Sequence, residues 1–346
     1  MISVRKMEPS EADRVKKVAK KAFSIVESMF IGHPKEAMVA EIDHKIVGGI
    51  LIRYIVSGGK KIGYFDAAFV DPTYHGQGVG SMLYKETTKY LWDQGCDALS
   101  AMVKDDNVGS WKLLLNNDFS LTTLSEGFRQ LGFLPMLMQY FTTPCFISNG
   151  MEFYLANKDQ TIRPKKVNTT QQIGLYLLIN FLLILFALVG GGPNFKMFFS
   201  AYATLLAGGV IFGYIGTLFS NYKWKFRLNS CGGVIVALVN MVAVFPLIGN
   251  WYPTKYENTD AFKKAMGLSA LCEWLFMLCI TIAASTLQSQ YILFKYLFQL
   301  GSAFLMFRII AIYPFESFGG RRVYHWNKWL YSILGILSIL AIILLK

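Results

Sequence analysis

Residues 64 to 81 read Tyr-Phe-Asp-Ala-Ala-Phe-Val-Asp-Pro-Thr-Tyr-His-Gly-Gln-Gly-Val-Gly-Ser: an apolar run, a proline turn, three alternating glycines and a helix start. The chemistry this spacing suits is anion binding. Gly76, Gly78 and Gly80 carry no side chain that would hold a ligand off the backbone. A helix opening near Gly78 aims its unpaired N–H groups and its dipole at the same point. A pyrophosphate fits such a cradle. Dinucleotide-binding folds and plain tight turns also produce glycine patterns, so the flanking elements must discriminate.

Those elements are short strands and helices in alternation. Residues 2–6 read as a first strand, and Ser10 ahead of Glu11-Ala12-Asp13 as the N-cap of a helix running toward Phe23. Residues 37–42 and 47–55 form a hairpin around Asp43-His44-Lys45. Downstream of the glycines, Leu99-Ser100-Ala101-Met102-Val103 reads as a strand and residues 107–119 as the helix after it.

In this context the glycine stretch resembles the coenzyme A loop of the GNAT acetyltransferase superfamily. That loop is written Arg or Gln, two residues, Gly, one residue, then Gly or Ala, behind an apolar strand and often Asp-Pro. Asp71-Pro72, Gly78 and Gly80 match, and His75 stands where the family has Arg or Gln. Asn107, Leu113 and Phe119 match the family's later pattern, Ser110 replaces its small residue, and Asp118 sits at its usual Gly. Leu114 takes the place of the Tyr that in many members protonates the departing thiolate.

The resemblance covers residues 1–160. It implies an α+β domain with a mixed central sheet flanked by helices, acetyl-CoA as cosubstrate, and no metal. It further implies that the backbone of Phe69 and Val70 holds the pantetheine arm. His75, Gly76, Gln77, Gly78, Val79, Gly80 and Ser81 would hold the pyrophosphate, and Asn107 would contact the coenzyme. In such enzymes the acceptor amine attacks the thioester directly, so a proton acceptor is the remaining requirement. Asp66 is the candidate base, since it shares strand parity with Tyr64, near which several relatives place a Glu. It reads equally as a solvated or paired acid. Tyr64 is the candidate proton donor in place of Leu114.

Composition assigns the rest of the chain to a bilayer. Of 346 residues 53% are hydrophobic, and the mean hydropathy is +0.38, too apolar for two ordinary soluble domains. Residues 1–166 hold 21 Lys plus Arg against 18 Asp plus Glu, and the remaining residues hold 13 against 4. The basic excess therefore lies beside apolar segments, where cations meet lipid head groups and set topology, and it argues against a nucleic-acid partner. Five cysteines without motif spacing read as reduced packing residues.

Spans are expected at 172–189, 197–219, 232–248, 265–286, 291–312 and 326–345, an all-α polytopic domain of five or six helices over 172–346 behind a basic linker at 161–171. Arg163, Lys165 and Lys166 before the first span, with Lys223, Lys225 and Arg227 after the second, put the N-terminal domain in the cytoplasm of a multi-pass integral membrane protein. The start of the chain has no apolar core of signal-peptide length, which agrees.

Three further features belong to the sequence reading. Residues 131–147 are apolar, too short to span, and interrupted by Pro135 and Pro144. They read either as a late strand and loop or as a segment that docks the domain on the bilayer. Residues 313–323 and Trp224-Lys225-Phe226-Arg227 are similar to segments of the site-2 protease family, but Gly209, Gly213 and Gly319 fall at the metal-ligand positions, which excludes zinc hydrolysis. Gly208, Gly209 and Gly213 read equally as small residues that permit close helix packing. Glu273 and Arg308, inside apolar stretches, form a structural ion pair or line a polar cavity.

The function expected is a membrane-tethered acetyl-CoA-dependent N-acetyltransferase acting on an amine of a lipid, a glycan precursor or a membrane protein. The alternative is a catalytically weak or inactive acetyl-CoA-binding regulatory or scaffold protein on a protease-derived membrane domain. A gated transporter would need an internal repeat or a broken-helix pair, which the sequence does not display.

Overall fold

The computed structural model describes residues 2–29, 31–104, 107–158, 168–188, 194–229, 231–257, 259–312 and 315–345. It divides into two units, Met1–Cys145 with Glu152–Lys165, and Phe146–Met151 with Lys166–Lys346. Expectations resting on residues 161–167, including Arg163, Lys165 and Lys166, on 189, on 313–314 and on 346 lie outside the described residues.

In the first unit the apolar runs become strands because helices cover both faces of the sheet, so inward residues are not confined to alternate positions. The elements in order are β1 (Ser3–Lys6), α1 (Ala12–Ala22), α2 (Ile25–Met29), β2 (Ala37–Ile42), β3 (Lys45–Ser57), β4 (Lys60–Val70), α3 (Val79–Asp93), β5 (Ala98–Lys104), α4 (Val108–Leu115), β6 (Ser120–Leu121), α5 (Leu124–Leu131), α6 (Phe133–Thr142) and β7 (Met151–Asn157). The seven strands lie in the order β1-β2-β3-β4-β5-β7-β6. β1 to β4 pair antiparallel and β4 pairs parallel with β5, the mixed sheet expected.

Two-residue turns join β2 to β3 and β3 to β4, with Asp43, His44, Gly58 and Gly59 all at positive φ, the twist that suits tight hairpins. α1 packs Val15 and Ala19 against Leu51 and Phe69 on one face. Gly48, of opposite parity to Leu51, lets α3 approach the other face, where an added Cβ would lie 3.2 Å from Leu83.

Two local expectations are corrected. Ser10 is not the N-cap of α1, because it lies inside a 3-10 turn, Pro9–Glu11, held by a capping box between Glu8 and Glu11. Residues 131–147 are neither strand nor loop at their start, since α5 and α6 occupy the connection between β6 and β7. Pro135 does not break α6 because it falls in the first turn, where no intrahelical acceptor awaits its N–H.

The second unit comprises α7 (Thr169–Ile184), α8 (Phe195–Thr217), β8 (Trp224–Leu228), α9 (Gly233–Asn240), β9 (Gly249–Pro253), α10 (Asp260–Leu287), α11 (Ile292–Ile309), α12 (Gly320–Trp326) and α13 (Lys328–Leu344). Among the described residues four helices are long and apolar enough to cross a membrane: Thr169–Ala187, Phe195–Thr217, Asp260–Leu287 and Ile292–Ile309. The expected count of five or six is thus corrected to four by length and composition. α13 is a shorter apolar helix of 17 residues.

The expected span at 232–248 is also corrected. α9 stops at Asn240, whose side chain accepts from Phe245 N at 2.8 Å and donates to Phe245 O at 3.0 Å. The chain then runs on without helix into β9, which pairs antiparallel with β8, so the unit is not wholly helical. Buried Asn180 serves both Leu247 N and Leu247 O. Asn149 serves Pro246 O and Ile248 N. Three amide side chains thereby satisfy a buried, non-helical backbone in an apolar unit, where unpaired peptide groups are costly.

The glycines of α8 serve close packing. A Cβ at Gly216 would lie 2.5 Å from the Leu268 carbonyl oxygen of α10, and one at Gly209 would lie 3.2 Å from Glu273 Oε1. Glu273 pairs with Arg308 of α11, and Arg308 also donates to Phe304 O at 3.0 Å. Cys96, Cys272 and Cys279 are free thiols. Cys145 and Cys231 are not free thiols, contrary to expectation.

Candidate functional site

The glycine loop lies between the end of β4 and the start of α3. Asp71 opens it, accepting from Thr73 N at 3.1 Å and Thr73 Oγ1 at 2.8 Å, which fixes the turn at Pro72. These bonds hold the Asp71 carboxyl below the usual carboxylate range. Gly76 and Gly78 adopt φ of 79° and 83°, and a Cβ at either would meet no protein atom within 4 Å. The left-handed backbone, not packing, is what requires glycine at these two positions.

Gly80 differs, because a Cβ there would lie 3.2 Å from Leu113 Cδ1 of α4. Its glycine lets two helices approach, which the sequence reading had assigned to ligand space. Gly78 is the N-cap of α3 and offers no side chain to the helix. The N–H groups of Val79, Gly80 and Ser81 therefore lack intrahelical acceptors and open on an exposed loop. Gln77 and Ser81 are exposed in that loop. The His75 ring turns back to the Val70 carbonyl at 3.1 Å, so it braces the end of β4.

β4 is paired with β5 only from Ile62–Ala98 to Phe65–Ala101. Beyond Phe65 its other edge continues on β3, with Phe69 opposite Gly49 and Val70 opposite Gly48. The register shift between Leu51 and Ile52 leaves Asp66 as an extra residue in β4, a bulge at the point where β4 and β5 part. The backbone of residues 66–70 thus presents a strand edge on the side from which β5 has withdrawn.

Tyr64 and Asp66 are brought together, by way of Arg53. The Arg53 guanidinium stacks 5.1 Å from the Tyr64 ring centroid, binds Asp66 and donates to Thr142 O. Tyr64 is 1% exposed, and burial, followed by the neighbouring Asp66 charge, raises its phenol above the ordinary range. Opposite Tyr64 in the sheet, Ser100 Oγ donates to Gln139 Oε1 of α6 at 2.9 Å, and both residues are fully buried. Gln139 Nε2 is buried with no hydrogen-bond partner. Arg53 and Gln139 were missed in the sequence because neither belongs to a motif. The only signal for Arg53 was a charge inside an apolar strand.

Residues 6–119 match the family model described as the acetyltransferase (GNAT) family. The N-terminal unit contains a GNAT acetyltransferase domain. By class it is an acyl-CoA N-acyltransferase. Among solved structures, the ribosomal-protein-S18-alanine N-acetyltransferase from Escherichia coli is 13% identical, with a TM-score of 0.34 over 48% of this chain and 100% of its own. A GNAT family acetyltransferase from Brucella melitensis, in complex with acetyl-CoA, is 19% identical, with a TM-score of 0.27 over 32% of this chain and 81% of its own. No curated protein matches the chain.

In this GNAT domain the helix after β5 departs from the family pattern in ways the geometry explains. Asn107 caps α4, its Oδ1 accepting from Ser110 N at 3.1 Å, so one end of the amide is committed to the helix. Leu114, at the usual Tyr position, is fully buried. Asp118, at the usual Gly, sits at φ 62°, the left-handed region that Gly enters freely and Asp tolerates. A different phenol stands nearby: Tyr84 of α3 packs 5.7 Å from the Phe65 ring. Its hydroxyl is pushed up to about 12, burial outweighing the opposing influence of Ser110.

Proposed function

We propose that the protein is a membrane-tethered, acetyl-CoA-dependent N-acetyltransferase whose acceptor is an amine on a lipid, a glycan precursor or a membrane protein. The observation that carries this reading is the uncapped N-terminus of α3 behind two positive-φ glycines, at the end of a strand that has parted from its neighbour. The residues fit the cosubstrate: the space a Cβ would take at Gly76 and Gly78 is open, and the N–H groups behind it lack acceptors. Four apolar helices in the same chain support the membrane part of the reading.

On this reading the backbone from Gly76 to Ser81 binds the pyrophosphate, with Gln77 at its rim. Phe69 and Val70 present the strand edge that orients the pantetheine arm, and the Asn107 amide lies at the head of the following helix. When bound, acetyl-CoA supplies a thioester carbonyl to the attacking amine. Asp66 takes the amine proton, with Arg53 fixing its carboxylate, and Tyr64 holds a proton on the same face. The domain lies on the cytoplasmic side, where acetyl-CoA is found.

A second reading, an acetyl-CoA-binding regulator or scaffold, is favoured by buried Leu114 and by the commitment of Asp66 to Arg53. One experiment separates them. The full chain in lipid nanodiscs is titrated with acetyl-CoA, and free coenzyme A release is then followed with membrane-extract amines. Saturable binding that Gly78→Val weakens at least about tenfold, equivalent to about 1.4 kcal/mol, together with amine-dependent release, is the expected result. Binding without release selects the scaffold, and no binding at millimolar acetyl-CoA removes both.

A further inference from the structure

α6 has two unlike faces. Pro135, Met136, Gln139 and Tyr140 are buried against the N-terminal unit. Phe133, Leu134, Met138 and Phe141 are 67%, 57%, 43% and 51% exposed, and they fall within an arc of about 140° at 3.6 residues per turn. Beside them the β3–β4 hairpin tip adds Val56, 70% exposed, where Gly58 comes close to Pro135. No charged residue occurs between Gln130 and Gly150. Lys60 stands at the margin, its Nζ donating to the Gln130 carbonyl at 3.0 Å.

We infer that this strip is a bilayer-docking surface, with α6 lying in the lipid interface by its Phe133, Leu134, Met138 and Phe141 side chains. The occupant is lipid because of the chain's own connectivity. β7 ends at Asn157 and α7, the first membrane-length helix, begins at Thr169. The intervening residues reach at most about 40 Å at about 3.5 Å each. A bilayer is therefore always within reach of the strip, at an effective concentration that a second copy in dilute solution does not match. An uncharged apolar helix face with a cation at its margin is what an interfacial helix presents to lipid.

The docking does not depend on the acetyltransferase reading. Where that reading holds, docking sets the face bearing Tyr64 and Asp66, which α6 closes from its inner side through Gln139, toward an acceptor carried in the membrane.

The test uses the full chain in nanodiscs loaded with one copy and, separately, with two copies per disc. A genetically encoded nitroxide replaces Phe133, Met138 or Phe141 in turn, with Lys17 on α1 as the aqueous control. Power saturation with oxygen and with a nickel chelate should give an oxygen-to-nickel accessibility ratio at least several-fold higher at the three strip positions than at Lys17. Strip labels as open to nickel as the control overturn the inference. So do strip labels shielded from both agents only when two copies share a disc, with dipolar broadening between them, which would make a second copy the occupant. Unchanged far-ultraviolet circular dichroism and unchanged thermal unfolding of each labelled chain show that it has kept its fold.

Discussion

Asp66 carries the most weight of any side chain in the proposed chemistry, and its surroundings state what it must overcome. It occupies a bulge, where the strand aims one residue out of register, and its carboxylate is bound by Arg53, which also stacks on Tyr64. A base held by a guanidinium is well oriented but must be released to take a proton. If Asp66 is the base, Asp66→Asn lowers the rate of coenzyme A release about 10²–10⁴-fold and leaves acetyl-CoA affinity unchanged. Arg53→Leu lowers the rate less, through misplacement of the carboxylate. A rate unchanged in Asp66→Asn would falsify the assignment. The sequence placed Asp66 beside Tyr64 by strand parity, and the two do meet through Arg53, although the bulge that aims Asp66 depends on a pairing register no local pattern encodes. The Arg53 link was not legible either, because its partners come from β4 and α6.

At the scale of elements, local chemistry was most legible where backbone geometry dictates residue type. Gly76 and Gly78 are glycines because φ is positive, whereas Gly80 looks the same in sequence and serves the packing of α3 on α4. Strand limits and the hairpin turn at Asp43-His44 were readable from alternation and turn residues. α5 and α6 were not, since an apolar run broken by prolines is read against a helix unless the proline falls in the first turn. The start of α1 shows how a cap hides in an ion pair. Arg5 binds Glu11 and Glu41, and its bonds to Glu11 hold that carboxyl down at about 2. A carboxylate lowered in the folded state stabilises it above the unfolded value of 4.5, and the gain is lost as pH falls toward about 2. Because Arg5 is partly exposed, the effect is modest, about 1 kcal/mol at pH 7. Glu11→Gln should accordingly raise hydrogen exchange of the β1 amides relative to the unmodified chain by up to about fivefold at pH 7. The ratio should approach one near pH 2, and a ratio independent of pH would show that the clamp does not act through the Glu11 charge.

Over the whole molecule, the apolar half was legible as membrane-length helices because composition alone sets that property. Its interior was not, since three asparagines from separate parts of the chain converge on the backbone of Phe245 to Ile248 and convert an apparent span into a non-helical segment. The same interior holds the Glu273–Arg308 pair between α10 and α11, and the same two side chains line a small cavity. Arg308 is 3% exposed, so removing it strands a carboxylate whose companion charge is gone. Arg308→Met should destabilise the helical unit by about 3–5 kcal/mol, whereas Arg308→Met with Glu273→Leu leaves no unpaired charge and should recover most of the loss. Thermal unfolding of the full chain in detergent, followed by helical circular dichroism, measures both. If the double variant loses as much as the sum of the two single ones, the pair contributes through packing of its side chains and not through the mutual neutralisation of buried charge.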